Sequence, residues 1–165
     1  MLTLTRPSRP LPEVIQSGEG QTRESVPADL DAIGRLYFGS YPPGVACSTL
    51  EEAREDVRFS FEGGYGEYWW EASPVFVQGD EVVGALMTVR RAIWNDVPDT
   101  PFIIELMVDP AFRRRGAARA LLVECLRVVG ESGEQAVGLR VAADNPAAIA
   151  LYSSLGFVEM RSGED

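Results

Sequence analysis

The sequence predicts an α/β fold on a mixed sheet, and three features of the 165-residue chain predict it. First, an apolar run at 102–108, partly β-branched and stopped by Asp109-Pro110, reads as a buried strand. An Arg-rich loop with Gly116 follows, and from Ala117 apolar residues recur at helical spacing: Ala118, Leu121, Leu122, Cys125, Val128 and Val129. Second, a strand at 135–142, with Val137, Leu139 and Val141 on one face, precedes a short helix. That helix is opened by Asn145-Pro146 and closed by Gly156. Third, strands at 75–77 and 82–89, joined through Gln78-Gly-Asp-Glu81, form a hairpin, so the sheet is mixed and not purely parallel.

The remaining elements follow along the chain. Residues 2–5 alternate apolar and polar and read as an edge strand ended by Arg6-Pro7. Residues 11–27, rich in Pro, Gly, Ser and Glu, read as a loop or mobile arm. Leu30, Ile33, Leu36 and Tyr37 give helical spacing within 28–38, ended by Gly39 and Pro42-Pro43-Gly44. Ser48-Thr49-Leu50-Glu51 has capping-box spacing with Ser48 as N-cap, and Leu50, Ala53, Val57 and Phe61 continue a helix at core spacing. Within 62–71, glycines alternate with Tyr65, Tyr68, Trp69 and Trp70 between glutamates. This stretch forms either a wall around a cationic amine or ordinary core packing. Gly84, inside the second hairpin strand, predicts a bulge or a close approach of another group. Residues 90–101 are a polar loop carrying Trp94, Gly130 and Gly133 end the long helix, and a last strand spans 157–160.

Composition narrows the class. The length fits one domain over 1–165, and 45% hydrophobic content excludes global disorder. The longest apolar runs are broken by charges, and the N-terminal residues lack a signal-peptide core, so the expectation is a soluble, cytoplasmic chain with no membrane partner. A net charge of −10 disfavours non-specific nucleic-acid binding and either mildly favours cationic partners or simply keeps the protein soluble. Cys47 and Cys125 have no metal spacing, and the chain has no histidine. Ser-His and Cys-His pairs, His bases and His metal ligands are thereby excluded, no metal is expected, and acid–base work falls to the remaining titratable side chains.

The junction at 113–118 carries the most chemistry. The first turn of a helix offers unpaired N–H groups and the positive end of the macrodipole, and Gly116 lets backbone approach an anion closely. Arg113, Arg114 and Arg115 add charge suited to bidentate phosphate contact, so the stretch reads as a pyrophosphate cradle or as a helix start with solvated arginines. Arg113-Arg114-Arg115-Gly116-Ala117-Ala118 matches Q/R-x-x-G-x-G/A, the signature of the GCN5-related N-acetyltransferase (GNAT) family. Asn145 opening a helix seven residues before Tyr152, followed by Gly156-Phe157, resembles the family's second hallmark.

The resemblance, over residues 2–160, implies a GNAT-like mixed sheet of about six strands flanked by four helices, with the central strands 102–109 and 135–142 splayed around acetyl-CoA. Segment 11–27 then stands as an insertion, and the family's final hairpin strand is missing or supplied elsewhere, an edge that a second subunit in a homodimer would cover. The implied activity is that of an acyltransferase moving acetyl from acetyl-CoA to an amine of a small molecule, peptide or protein, by direct attack through a tetrahedral intermediate. The alternative is a non-catalytic acyl-CoA-binding regulatory module of the same fold, and a longer acyl donor stays open. Backbone N–H groups of Arg114, Arg115, Gly116, Ala117, Ala118 and Arg119 would hold the pyrophosphate with Arg113 in support, and the exposed backbone of Leu106, Met107 and Val108 the pantetheine arm and thioester carbonyl. Asn145 resembles the residue that contacts the cofactor arm, though as an N-cap it explains itself equally well. Tyr152 matches the general-acid position, or its ring simply packs under the cofactor. Glu105, the only carboxylate of the run 102–108, is the candidate base, or it faces solvent or binds an Arg. Tyr41, by its place between the first two helices, joins Tyr68 and Trp69 as candidate acceptor-binding residues.

Overall fold

The structure, a computed structural model, describes residues 1–9 and 20–160. Its strands are β1 (Leu2–Pro7), β2 (Gln21–Glu24), β3 (Pro74–Gln78), β4 (Glu81–Val89), β5 (Phe102–Val108), β6 (Ala136–Val141) and β7 (Val158–Glu159). Its helices are α1 (Leu30–Ser40), α2 (Leu50–Phe61), α3 (Ala117–Glu131) and α4 (Pro146–Ser154). One sheet runs β2-β3-β4-β5-β6-β1-β7, and every pairing is antiparallel except β5 with β6. The mixed α/β expectation holds.

Three expectations are corrected. Four residues within 11–27 form β2, pairing Gln21–Glu24 against Val77–Pro74. The strand is polar and mostly exposed, so it carried no apolar alternation to read. Its anchor is Arg23, whose guanidinium forks onto both oxygens of Asp29 at 2.9 Å, just before α1. The segment 11–19 lies outside the described residues. The 2–5 strand is not at an edge: β1 sits between β6 and β7, and β2 and β7 form the edges. The cap of α2 is shifted by one: Thr49 Oγ1 accepts from the Glu52 amide at 3.1 Å, while the Glu52 carboxylate accepts from Ser48 N at 2.6 Å. The same two-way capping logic applies, one residue later than the sequence spacing indicated.

The sheet separates two cores. Leu121, Leu122, Cys125 and Val129 of α3 pack with Leu86, Ile103, Leu139, Tyr152 and Phe157 on one face; Ile33, Leu36 and Val57 of α1 and α2 pack with Val75, Ala85, Met87 and Met107 on the other. Gly84 is a point of close approach between α3 and the sheet. A Cβ there would lie 3.2 Å from Leu121 Cδ1 and 3.3 Å from the Met107 carbonyl oxygen, so the close approach expected at this glycine is present.

Two irregularities open the centre of the sheet. Parallel pairing of β5 with β6 is confined to Phe102–Gly138 and Ile103–Leu139, beyond which the strands part. In the β4–β5 ladder Met87 faces Glu105 and Thr88 faces Ile103, so Ile104 is an extra residue, a bulge. It puts two consecutive side chains on the same side. Ile103, Leu106 and Val108 belong to the α3 core and Ile104 and Met107 to the α1–α2 core, while Glu105 turns with Ile104 towards α1 and α2. Because Leu121 is fully buried at the Gly84 contact, Leu121→Ala is expected to cost about 2–5 kcal/mol, read as a lower urea midpoint in equilibrium unfolding.

Candidate active site

The parting of β5 and β6 creates a cleft of about 1080 Å³. Leu106, Met107, Val108, Arg113, Arg114, Gly116, Ala117, Ala118, Arg119, Asn145, Glu105, Tyr41 and Tyr152 all line it. Arg115 is not among the lining residues: its guanidinium lies 5.5 Å from the ring centre of Phe112.

At one end the cleft meets the start of α3. Asp109 caps the turn Pro110–Phe112 by accepting from Ala111 N at 2.9 Å, and Arg113 Nε donates to the Val108 carbonyl at 3.3 Å, so the loop is tied to the strand it leaves. Gly116 then takes φ +83, ψ +6 as the N-cap. It offers no capping side chain, and the first bond back to it comes from Ala120 N at 3.0 Å. The N–H groups of Ala117, Ala118 and Arg119 therefore have no acceptor within the helix. Arg114, at φ 65, is the only non-glycine with positive φ among the described residues, and such strain is held where a loop serves a site. Exposed backbone donors, the positive end of a fifteen-residue helix and three lining arginines make this end fit a pyrophosphate. Asn145 caps α4 through Oδ1, which accepts from Ala148 N at 3.3 Å, leaving its amide N–H groups for the cleft.

Where the bulge lies, the cleft meets a second cavity of about 190 Å³, lined by Tyr37, Asp56, Ser60, Tyr65, Trp94, Ile104 and Glu105 among others. Glu105, Ile104 and Trp94 line both spaces. The Tyr41 hydroxyl donates to the Glu105 carboxylate at 2.8 Å and 3.0 Å to its two oxygens. Burial pushes the Glu105 carboxyl up to about 7; the Tyr41 hydrogen bond opposes the rise and the Asp56 charge adds to it. Tyr152, 8% exposed, is pushed up to about 12 by burial and by the Glu105 charge, so its phenol keeps its proton at neutral pH.

Tyr68 and Trp69 are not in this site. They are 7% and 3% exposed, Tyr68 packed with Phe61 and Trp70 and Trp69 in the α3-side core beneath Arg90, and neither lines either space. The glycine-rich segment contributes Tyr65 instead, which stacks on Trp94 at 5.8 Å and donates to Asp56 Oδ1 at 2.5 Å. Pairing against β4 accounts for the burial: Tyr68 bridges to Val89, and Tyr68 and Trp69 enter the cores on opposite faces of the sheet. The other residues that sequence reasoning missed are Tyr37, Asp56 and Arg140. Asp56 precedes core residue Val57 on α2, a position without any spacing signal; Arg140 pairs with Asp96 at 2.6 Å and lies 5.7 Å from the Trp94 ring centre.

Glu105 carries a linkage consequence. Its carboxyl titrates higher in the folded chain than the ordinary 4.5, so its contribution to stability is full below about 4.5 and is lost as pH rises through about 7. Glu105→Gln, neutral throughout, should therefore raise the melting temperature relative to the parent at pH 8 and leave it nearly unchanged at pH 5, measured by thermal unfolding at both pH values.

Comparison with known proteins gives the geometry a context. The model of the acetyltransferase (GNAT) family matches residues 32–157. A curated relative, the [ribosomal protein bS18]-alanine N-acetyltransferase of Escherichia coli K12, is 43% identical over 96 residues, covering 55% of this chain; the match spans 65% of that relative's length. The crystal structure of a GCN5-related N-acetyltransferase from Sphaerobacter thermophilus superposes with TM-score 0.73 at 22% identity, over 96% of this chain and 48% of that one. The aminoglycoside N-acetyltransferase AAC(6')-Iy, solved in complex with CoA, has TM-score 0.68 at 18% identity, over 93% and 97% of the two chains. Together with the splayed β5 and β6 and the Gly116 cradle, the family match over 32–157 shows that the chain belongs to the acetyltransferase (GNAT) family.

Proposed function

We propose that this chain is an acetyl-CoA-dependent N-acetyltransferase acting on the amine of a small molecule, peptide or protein. One observation carries the reading: Glu105 stands where a large cleft with an anion cradle opens into a smaller acidic, aromatic cavity. Two reactants entering from opposite sides would meet at that carboxylate. The curated relative's name supplies a protein α-amine as one acceptor to test.

The residues present fit the donor. Gly116 and the free N–H groups of Ala117, Ala118 and Arg119, with Arg113 and Arg114, would hold the pyrophosphate, and the parted edge of β5 at Leu106, Met107 and Val108 would hold the pantetheine arm through main-chain bonds. When bound, acetyl-CoA supplies an activated acetyl group on a thiolate leaving group of pKa about 8.5, by analogy with Cys. Glu105 takes a proton from the incoming ammonium, whose ordinary pKa near ~10.4 otherwise keeps it unreactive. As the nitrogen–carbon bond forms and the carbon–sulfur bond breaks, the Tyr152 hydroxyl gives its proton to the departing sulfur, and the second amine proton restores the phenol. The Tyr41 hydroxyl holds the Glu105 carboxylate in place at 2.8 Å. Closure of the α1–α2 face by Tyr37, Trp94 and Ile104 limits water around the reacting atoms.

Calorimetric titration with acetyl-CoA, followed by thiol release in the presence of amines and of a peptide with an N-terminal alanine, tests the reading. Binding with release supports it, whereas binding without release across the panel supports a regulatory acyl-CoA-binding module. Tyr152→Phe is expected to lower kcat by about 10²–10⁴ with acetyl-CoA affinity retained. In the parent, kcat/KM should rise with pH through about 7 as Glu105 ionises, and Glu105→Gln should lose that limb of the profile, read by initial rates from pH 5.5 to 9.

A further inference from the structure

The smaller cavity holds two carboxylates, and the reaction proposed above uses one. Glu105 sits at the mouth shared with the cleft, while Asp56, on α2, lines the cavity wall without lining the cleft. No ion pair among the described residues involves either of them: the neighbouring Arg54 is taken by Asp31 and Glu51, and Arg58 by Glu55. Asp56 accepts from the Tyr65 hydroxyl on Oδ1, and the Tyr37 hydroxyl is also turned to it. Two hydroxyls leave part of the acceptor capacity of a carboxylate unused, and neither brings a positive charge. Burial raises Glu105, Tyr37, Tyr41 and Tyr65, and the Asp56 charge adds to each rise. The walls between the carboxylates are the ring faces of Tyr37, Tyr65 and Trp94, surfaces that attract cations. At about 190 Å³ the cavity holds roughly six waters' worth of volume at ~30 Å³ each, the room for a short side chain or a small diamine.

When an ammonium surrenders a proton to Glu105 and becomes an amide, no positive charge of a monoamine is left to face Asp56. A second positive charge on the acceptor keeps that carboxylate paired throughout the reaction. We propose that the acceptor is a dication, an amine carrying a second cationic group a few bonds from the nitrogen that is acetylated, with Asp56 as the residue that selects it. The proposal rests on the transferase reading. A free diamine and a peptide whose second residue is basic share this chemistry.

The test uses the full chain with acetyl-CoA and two matched acceptor pairs: 1,4-diaminobutane against butylamine, and an Ala-Arg peptide against the same peptide with Ala-Gln. The expected result is a kcat/KM preference for the dication on the order of tenfold or more in at least one pair. The pair that shows it tells a small diamine from a peptide. Asp56→Asn should bring that ratio close to one with acetyl-CoA affinity unchanged, while Tyr65→Phe, which keeps the carboxylate, should retain it. Taking the ratio within each variant cancels differences in folded fraction. Equal rates within both pairs, or a preference that survives Asp56→Asn, overturn the proposal while leaving the transferase reading intact. Acetyl-CoA binding with no thiol release for any of the four acceptors overturns both.

Discussion

The functional geometry depends on the two-residue limit of parallel pairing between β5 and β6. After Ile103 and Leu139 the strands stop exchanging hydrogen bonds, and the main chain from Ile104 to Val108 keeps β4 as its one ladder partner. Buried main-chain groups without partners are costly, so a parted strand persists only where something else satisfies it. Here the bulge at Ile104 bends β5, the Asp109 amide bonds to Val83, and Arg113 returns to the Val108 carbonyl. The strand is thus held on one side and left unpaired on the other. The same bulge turns Glu105 towards α1 and α2. One inserted residue thus lies beside the unpaired edge of β5 and turns Glu105 towards the smaller cavity.

Charge is sorted along this opening despite a net charge of −10. Arg113, Arg114 and Arg119 line the cleft where α3 begins, and the carboxylates Glu105 and Asp56 lie around the second cavity. Other arginines are paired at the surface: Arg127 with Glu124 and Glu131 on α3, and Arg91 with Asp99 and Glu134. Exposed pairs of this kind contribute little stability, but they withdraw cations from the acidic end. Arg140, which also lines the cleft, is paired with Asp96.

The parts legible in the sequence were those written in local signals. Gly116 and the arginines before it mark the cradle because a left-handed cap and a cluster of cations each leave a residue-type signature; Asn145, Pro146 and Gly156 mark the ends of α4 for the same reason. The acceptor side was harder to read, since it is assembled from four separated stretches: Tyr37 and Tyr41 after long intervals from Glu105, Asp56 on α2, Tyr65 between glycines and Trp94 in a loop. Nothing in the 62–71 stretch says which ring faces the cavity; register against β4 decides it, burying Tyr68 and Trp69 and leaving Tyr65 outward. β2 escaped for a related reason. Its four polar residues are held by main-chain pairing and by one Arg23–Asp29 fork, interactions that leave no periodicity behind.

Burial of the site acts on two acids in the same direction, with opposite chemical consequences. Withdrawal from water raises both Glu105 and Tyr152, because it penalises the charged form of each. For the carboxyl, starting near 4.5, the rise ends at about 7, where the group is ionised in appreciable fraction at neutral pH and is a stronger base than an ordinary carboxylate. For the phenol, starting near 10, the rise ends at about 12, which secures its proton at neutral pH. The Tyr41 hydrogen bond is the counterweight: it stabilises the ionised carboxylate and keeps burial from carrying Glu105 beyond the neutral range. The low-polarity junction thus separates the Glu105 carboxyl from the Tyr152 phenol by about five pH units, using three side chains that line one cleft.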